Sequence, residues 1–334
     1  MAVAELSQEQ TLVRKQRSLW EEAFIRLIRN KVAVISGIFI ILLGLSALFA
    51  NFLAPYDYAS QNLMMNNAVP RWMLSILPEN AENYARITSD YLLGADHLGR
   101  DILSRVLYGA RVSLSFAVVA SLISLLIGTL YGTISGYVGG RTDDIMMRIV
   151  DFLYAFPFLV VVILLQTYFK ALGRASGLTG FGAKLLAVND SMGGMLFLFI
   201  AIGLINWIGM ARIARGQVLS YKRKEFVEAA YAVGASSSRI IIRHLLPNII
   251  GPLIVAETLA IPGYIFTESF LSFIGLGVNP PTPSWGIMIS EAVPALRSYP
   301  NQVLVPAIFL SLTTLAFNFL GDGLRDALDP RMKQ

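Results

Sequence analysis

Six stretches of this chain are long and apolar enough to cross a lipid bilayer, and that fact constrains its fold more than any other. A membrane helix needs about 20 apolar residues to cover roughly 30 Å of hydrocarbon. Runs poor in charge meet that length at Val32–Leu53, Val112–Gly140, Ile145–Phe169, Ser191–Met210, Pro247–Ile274 and Gln302–Leu320. Only 15% of the residues are charged, against about 25% in soluble domains. The expected fold is therefore an all-α membrane protein with six transmembrane helices. The apolar run after the first 31 residues is too long for the core of a cleaved leader and should stay as an anchor.

Basic residues set the orientation. With the N-terminus inside, 18 of the 27 Lys and Arg residues fall in inner segments and nine in outer ones, the asymmetry that marks the cytoplasmic side. Both termini are thus expected in the cytoplasm. The formal charge of +5 does not point to nucleic acid, because the basic residues flank the apolar runs instead of forming a patch of their own. The reading divides the chain into an inner tail over residues 1–31, a first span over 32–53, an outer loop over 54–111, a five-helix core over 112–320 and an inner tail over 321–334. In the first tail, Leu12, Leu19, Trp20, Ala23, Phe24, Leu27 and Ile28 recur at helical spacing between charges. They predict an amphipathic helix at the inner interface, with Arg and Lys toward lipid headgroups; a short helix packed on protein is the other reading. The outer loop, with Pro55, Pro70 and Pro78, shows little periodicity.

Several chemistries find no support. No Gly-Lys-Ser/Thr phosphate loop is present, so ATP hydrolysis by that route is not expected of this chain. There is no cysteine, hence no thiolate ligand or nucleophile. His97 and His244 should lie on opposite sides of the membrane, His97 as a loop hydrogen-bond donor, so no metal site is expected. No cofactor is expected either. A membrane-embedded enzyme would need paired carboxylates or a Ser/His pair at matching depth, and none stands out.

One inner segment is unlike its surroundings. "EFVEAAYAVGASSSRIIIRHLLPN" (Glu225–Asn248) is charged, alanine-rich and broken by one glycine. Phe226, Val227, Ala230, Tyr231 and Val233 place small or apolar groups on one helical face, and Ala229 leaves room for another surface. Gly234 suits a turn between two short helices, and Ser236–Ser238 offer caps for the second. The pattern predicts a helix-turn-helix bracket projecting into the cytoplasm within a loop over residues 213–247.

These residues carry a resemblance. "EAAYAVGASSSRIIIRHLLPN" resembles the EAA loop of membrane permeases in binding-protein-dependent ABC importers. "LLGADHLGRDILSRVLYGARVSL" (Leu92–Leu114) and "ESFLSFIGLGVNPPTPSWGIMI" (Glu268–Ile289) resemble segments of the dipeptide, oligopeptide and nickel permease group. Ala95, Tyr231 and Ile242 stand where that group more often has threonine, a basic residue and phenylalanine. The resemblance implies a permease of the inner (plasma) membrane that lines a translocation path with a second, related permease. Two ATPase subunits would bind below and an external binding protein would deliver substrate. It implies ATPase coupling through Glu228, Ala229, Ala230, Gly234, Ala235 and Pro247, and a gate or outer motif at Glu268, Gly275 and Gly277. Peptides are the expected substrates, with nickel or a metal chelate as the alternative in the same group.

Polar residues within apolar runs are costly in lipid and face protein or water. Asp151, Asn206, Glu257, Glu268 and Asn318 are of this kind. Glu257, Asn206 and Asn318 are read as lining the translocation path, with a hydrogen-bonded contact at the permease–permease interface as the competing reading for Glu257.

Overall fold

The structure, a computed structural model, describes residues 19–78, 81–174 and 180–328. The described residues form a helical bundle; their one sheet is a pair of two-residue strands. α1 (Leu19–Arg29) leads through the cap residue Asn30 into α2 (Lys31–Leu48). α3 (Ile102–Val138) is followed by α4 (Gly140–Tyr154), α5 (Phe158–Arg174) and α6 (Phe181–Ser191). α7 (Met195–Tyr221) precedes the short α8 (Glu225–Ala232); then come α9 (Ser237–Phe273), α10 (Trp285–Ala292) and α11 (Asn301–Leu328). Five of these helices are long and apolar enough to cross a membrane. α4 and α5 supply a sixth span if taken together, although they meet at a bend of 76°. The sequence predicts one span over 145–169. Pro157 breaks it, because proline lacks the N–H that the ladder needs and bars the preceding residue from helical angles.

The two ends of the described chain share one end of the bundle. Gly323 lies against Ala33, with Leu27 beside it. This end is called the near end, and its opposite the far end. α1 packs on α11 through this contact and buries Ala23, while Trp20, Phe24 and Ile28 stay exposed on its other face. The part of the amphipathic segment before Leu19, including Leu12, lies outside the described residues, as does the tail beyond Leu328.

Helix boundaries depart from the sequence reading because charged and polar residues pair inside the bundle instead of ending helices. α3 starts at Ile102, not at Val112, since Asp101 caps it by accepting from the Ser104 amide at 2.8 Å, and Arg105 is buried. α7 runs on to Tyr221, past the boundary at 213. α11 runs on to Leu328, past 320. The second arm of the bracket is a short helix, Ser237–Ile240, that runs through a π segment, Ile241–Leu245, into the fifth span, whose α-helical part opens at Leu246 with Pro247 in its first turn.

The described residues between α2 and α3 are tied to one another and to the far end of α11. Val69–Pro70 pairs in parallel with Ile87–Thr88. Gln302 at the start of α11 donates to Asn67 Oδ1 at 2.8 Å, and Tyr84 donates to the Ser298 carbonyl at 3.1 Å. Inside the bundle, α3 and α7 approach closely where Gly128, Gly132 and Gly136 face Met210, Ala211 and Val218. A Cβ at Gly132 would stand 2.2 Å from the Ala211 carbonyl oxygen. Small residues at membrane helix contacts let backbones meet in this way.

Candidate coupling site and buried polar clusters

α8 projects from the near end as a short helix anchored along one side. Val227 and Ala230 are buried against Val218, Ile240 and Leu245. Full burial of a valine side chain stabilises its position by about 1.5–3 kcal/mol. Tyr231 is tied to the near end of α3 by a 2.6 Å hydroxyl contact with Tyr137, which pushes the Tyr231 hydroxyl above its ordinary pKa. The opposite face is open: Phe226, Glu228, Ala229 and Val233 are exposed. With Ala230, Ala235, Arg239 and His244, the apolar part of that face borders a concavity of about 360 Å³.

The turn after α8 is closed by two backbone bonds. Ala235 N–H donates to Ala230 O at 3.0 Å, and Gly234 N–H to Tyr231 O at 2.9 Å. This is the Schellman arrangement, which needs a left-handed residue at the position after the cap. Gly234 supplies it with φ +78°. The same device ends α9, where Leu276 N–H donates to Leu271 O at 2.7 Å around Gly275 at φ +81°. Gly277 packs so tightly that a Cβ there would overlap Ser272.

The intramembrane carboxylates are enclosed by this chain itself. Glu268 has no exposed surface. It accepts from Ser113 at 2.8 Å and from Ser272 at 2.6 Å. Glu257 is 3% exposed and accepts from Ser124 Oγ at 3.0 Å. The same hydroxyl lies 3.3 Å from the Asn206 carbonyl, so α3, α7 and α9 meet at Ser124. In this conformation Glu257 is enclosed within its own bundle, with the Ser124 hydroxyl on one of its two oxygens. Asn206 is half-buried beside it, whereas Asn318 is exposed on α11. The three residues read as one path are not brought together.

Two further clusters escaped the sequence reading. At the near end Arg215 grips Asp143 with two bonds of 2.6 Å, and Ser135 also donates to Asp143. This ties α4 to α7 and α3. At the far end Arg100 and Arg105, both almost wholly buried, meet on Glu291 of α10 at 2.6 and 3.0 Å. Arg100 also donates to Asp96 at 2.6 Å. His97 lies close enough to Asp96 and Glu291 for the three to face one cation, but the two arginines already match both carboxylates. The four-residue step from Asp96 to Arg100 was visible in the sequence; their partner Glu291, far along the chain, carried no signal.

Residues 128–334 match the family described as binding-protein-dependent transport system inner membrane component. The chain belongs to that family. Residues 18–70 match the N-terminal transmembrane domain of oligopeptide transport permease C. Among curated relatives, the oligopeptide transport system permease protein OppC of Bacillus subtilis is 40% identical over 333 residues, covering 100% of this chain and 96% of that protein. OppC of Escherichia coli K12 is 42% identical over 315 residues, 94% of this chain and 92% of that protein. The dipeptide transport system permease protein DppC of B. subtilis is 41% identical over 323 residues, 96% and 88% of the two chains. Among solved structures, a chain of the inward-facing MetNI methionine ABC transporter aligns at TM-score 0.49 and 14% identity, over 68% of this chain and 98% of that one. The protein is a multi-pass membrane permease component of an ABC importer.

Proposed function

We propose that this permease carries di- or oligopeptides inward, sharing one translocation path with a second permease, and that α8 docks on an ATPase subunit. The observation that carries the coupling part is the two-sidedness of α8. One face is fastened to the bundle by Val227, Ala230 and the Tyr231–Tyr137 bond. The other presents Glu228, Ala229 and Val233 beside a concavity. A helix held this firmly on one side transmits a push to the spans as a rigid body. Because Ser237–Ile240 joins the fifth span through the π segment Ile241–Leu245, that push enters the fifth span at Leu246. The near end is then cytoplasmic, in keeping with the basic residues gathered there. The far end, where the Asp96–Arg100–Arg105–Glu291 cluster ties the segment before α3 to α10, faces the external binding protein.

The peptide class rests on the relatives, which are peptide permeases by name along nearly their whole length. The test is reconstitution of the chain in proteoliposomes with its partner permease, two ATPases and binding protein. ATP-driven accumulation of labelled di- and oligopeptides, lost when this chain is omitted, is the expected result. Calorimetry on the binding protein gives the cargo directly: nickel or a metal chelate bound in place of peptides overturns the peptide reading.

A further inference from the structure

The spans α3 and α9 each contain one π segment, Ser124–Gly128 in α3 and Ile241–Leu245 in α9. Such segments interrupt the regular helical ladder and recur at functional sites. Both border the same apolar groove of about 580 Å³ at the near end, with Leu125 and Ile134 on one wall and Ile241 and Ile242 on the other. The groove lies between Ser124 and the α8 anchor. From Ser124 to Val138 the helix covers about 20 Å at ~1.5 Å per residue.

The three-helix junction sits at the inner limit of this groove. Ser124 opens the first π segment and holds Glu257. Glu257 retains a second buried oxygen, Oε1, without a hydrogen-bond partner, and Asn206 a buried amide nitrogen in the same condition. An incompletely satisfied carboxyl costs stability in a dry interior, so packing alone gives no reason to place one here. Below the junction, the Tyr231–Tyr137 bond couples α8 to the end of α3, and α9 joins it through the chain.

We infer that Glu257 is a positioning residue, a pin at which Ser124 and Asn206 hold α3, α7 and α9 together while the parts of α3 and α9 below it swing across the groove at their π segments. This inference rests on the importer reading and adds where the bundle bends: α8 supplies the displacement, and the groove closes about the Glu257–Ser124 contact.

The chain has no cysteine, so spin labels can be placed without first removing any. Labels at Ile134→Cys and Ile242→Cys, both exposed on opposite walls, report the groove width by pulsed electron resonance in the reconstituted importer. The expected result is a shift of several ångströms between nucleotide-free and nucleotide-bound states. In Glu257→Leu and in the milder Ser124→Ala, that shift is lost and transport per ATP hydrolysed falls at least tenfold while ATP hydrolysis continues. Glu257→Gln, which keeps an oxygen acceptor, restores both. A groove width that ignores nucleotide, while a label at Val233→Cys on α8 still responds, overturns the hinge and leaves the coupling reading standing. Wild-type transport per ATP in both Glu257→Leu and Ser124→Ala overturns the pin. A label on α8 that ignores nucleotide counts against the importer coupling itself and the hinge with it.

Discussion

Replacing Gly234 with valine isolates the backbone contribution to the α8 turn. An added Cβ at Gly234 meets nothing within 4 Å, so the substitution brings no steric clash with the rest of the protein. Its cost lies in the left-handed angle, φ +78°, which a β-branched residue adopts at a cost of about 1–3 kcal/mol. Escape to ordinary angles breaks the two closing bonds from Ala235 and Gly234, each worth about 0.5–1.5 kcal/mol. A penalty of about 2 kcal/mol moves the turn about 30-fold toward misaligned states. Val227 and Ala230 still insert in the bundle, so the protein should reach the membrane at normal level. ATP-driven peptide uptake in proteoliposomes should drop about 30-fold, with co-purification of the ATPase subunits weakened in parallel. Gly234→Asn should lie between glycine and valine, because asparagine tolerates the left-handed region better. Wild-type uptake and full ATPase retention in Gly234→Val would refute the reasoning. So would equal loss in Gly234→Asn and Gly234→Val, since side-chain size and not backbone angle would then decide.

Three further outcomes are expected. Cysteines at Ser60 and Asp190, both exposed, should react with an impermeant thiol reagent added outside intact cells, and one at Ser237 should not; the reverse pattern inverts the orientation. Gly132→Leu should lower the thermal midpoint of the detergent-solubilised protein by a penalty of more than about 1–3 kcal/mol, because the Ala211 carbonyl is backbone and cannot step aside. Glu291→Ala strips a half-buried carboxylate from the buried Arg100 and Arg105, which keep Asp96, and should destabilise the far end by about 1.5–3 kcal/mol, read as the same midpoint shift.

The spans were legible because lipid demands a length and a composition that no soluble helix needs, and the α8 stretch stood out as a polar, small-residue break between two of them. What the sequence concealed was pairing at a distance. Arg105 looked like the polar end of a loop and is a buried partner of Glu291. Ser124 looked like one more residue of an apolar run and joins three helices. Glu257 looked like a lining for a path because an isolated charge in lipid is untenable; the fold instead buries it where α3, α7 and α9 meet, with the Ser124 hydroxyl on one oxygen. The short second arm of the bracket was legible from the Ser236–Ser238 caps and Pro247; the π segment that joins it to the fifth span, Ile241–Leu245, carried no signal.

The central claim, that the open face of α8 is the contact through which ATP hydrolysis reaches the spans, is tested most directly at Val233, 84% exposed beside the Gly234 turn. In a chain that contains no other cysteine, Val233→Cys carries the sole site for a short thiol-directed cross-linker. In the assembled importer it should capture an ATPase subunit, in a yield that changes with bound nucleotide. Capture of the second permease alone, or no cross-link to an ATPase in an importer that still transports, would contradict the account.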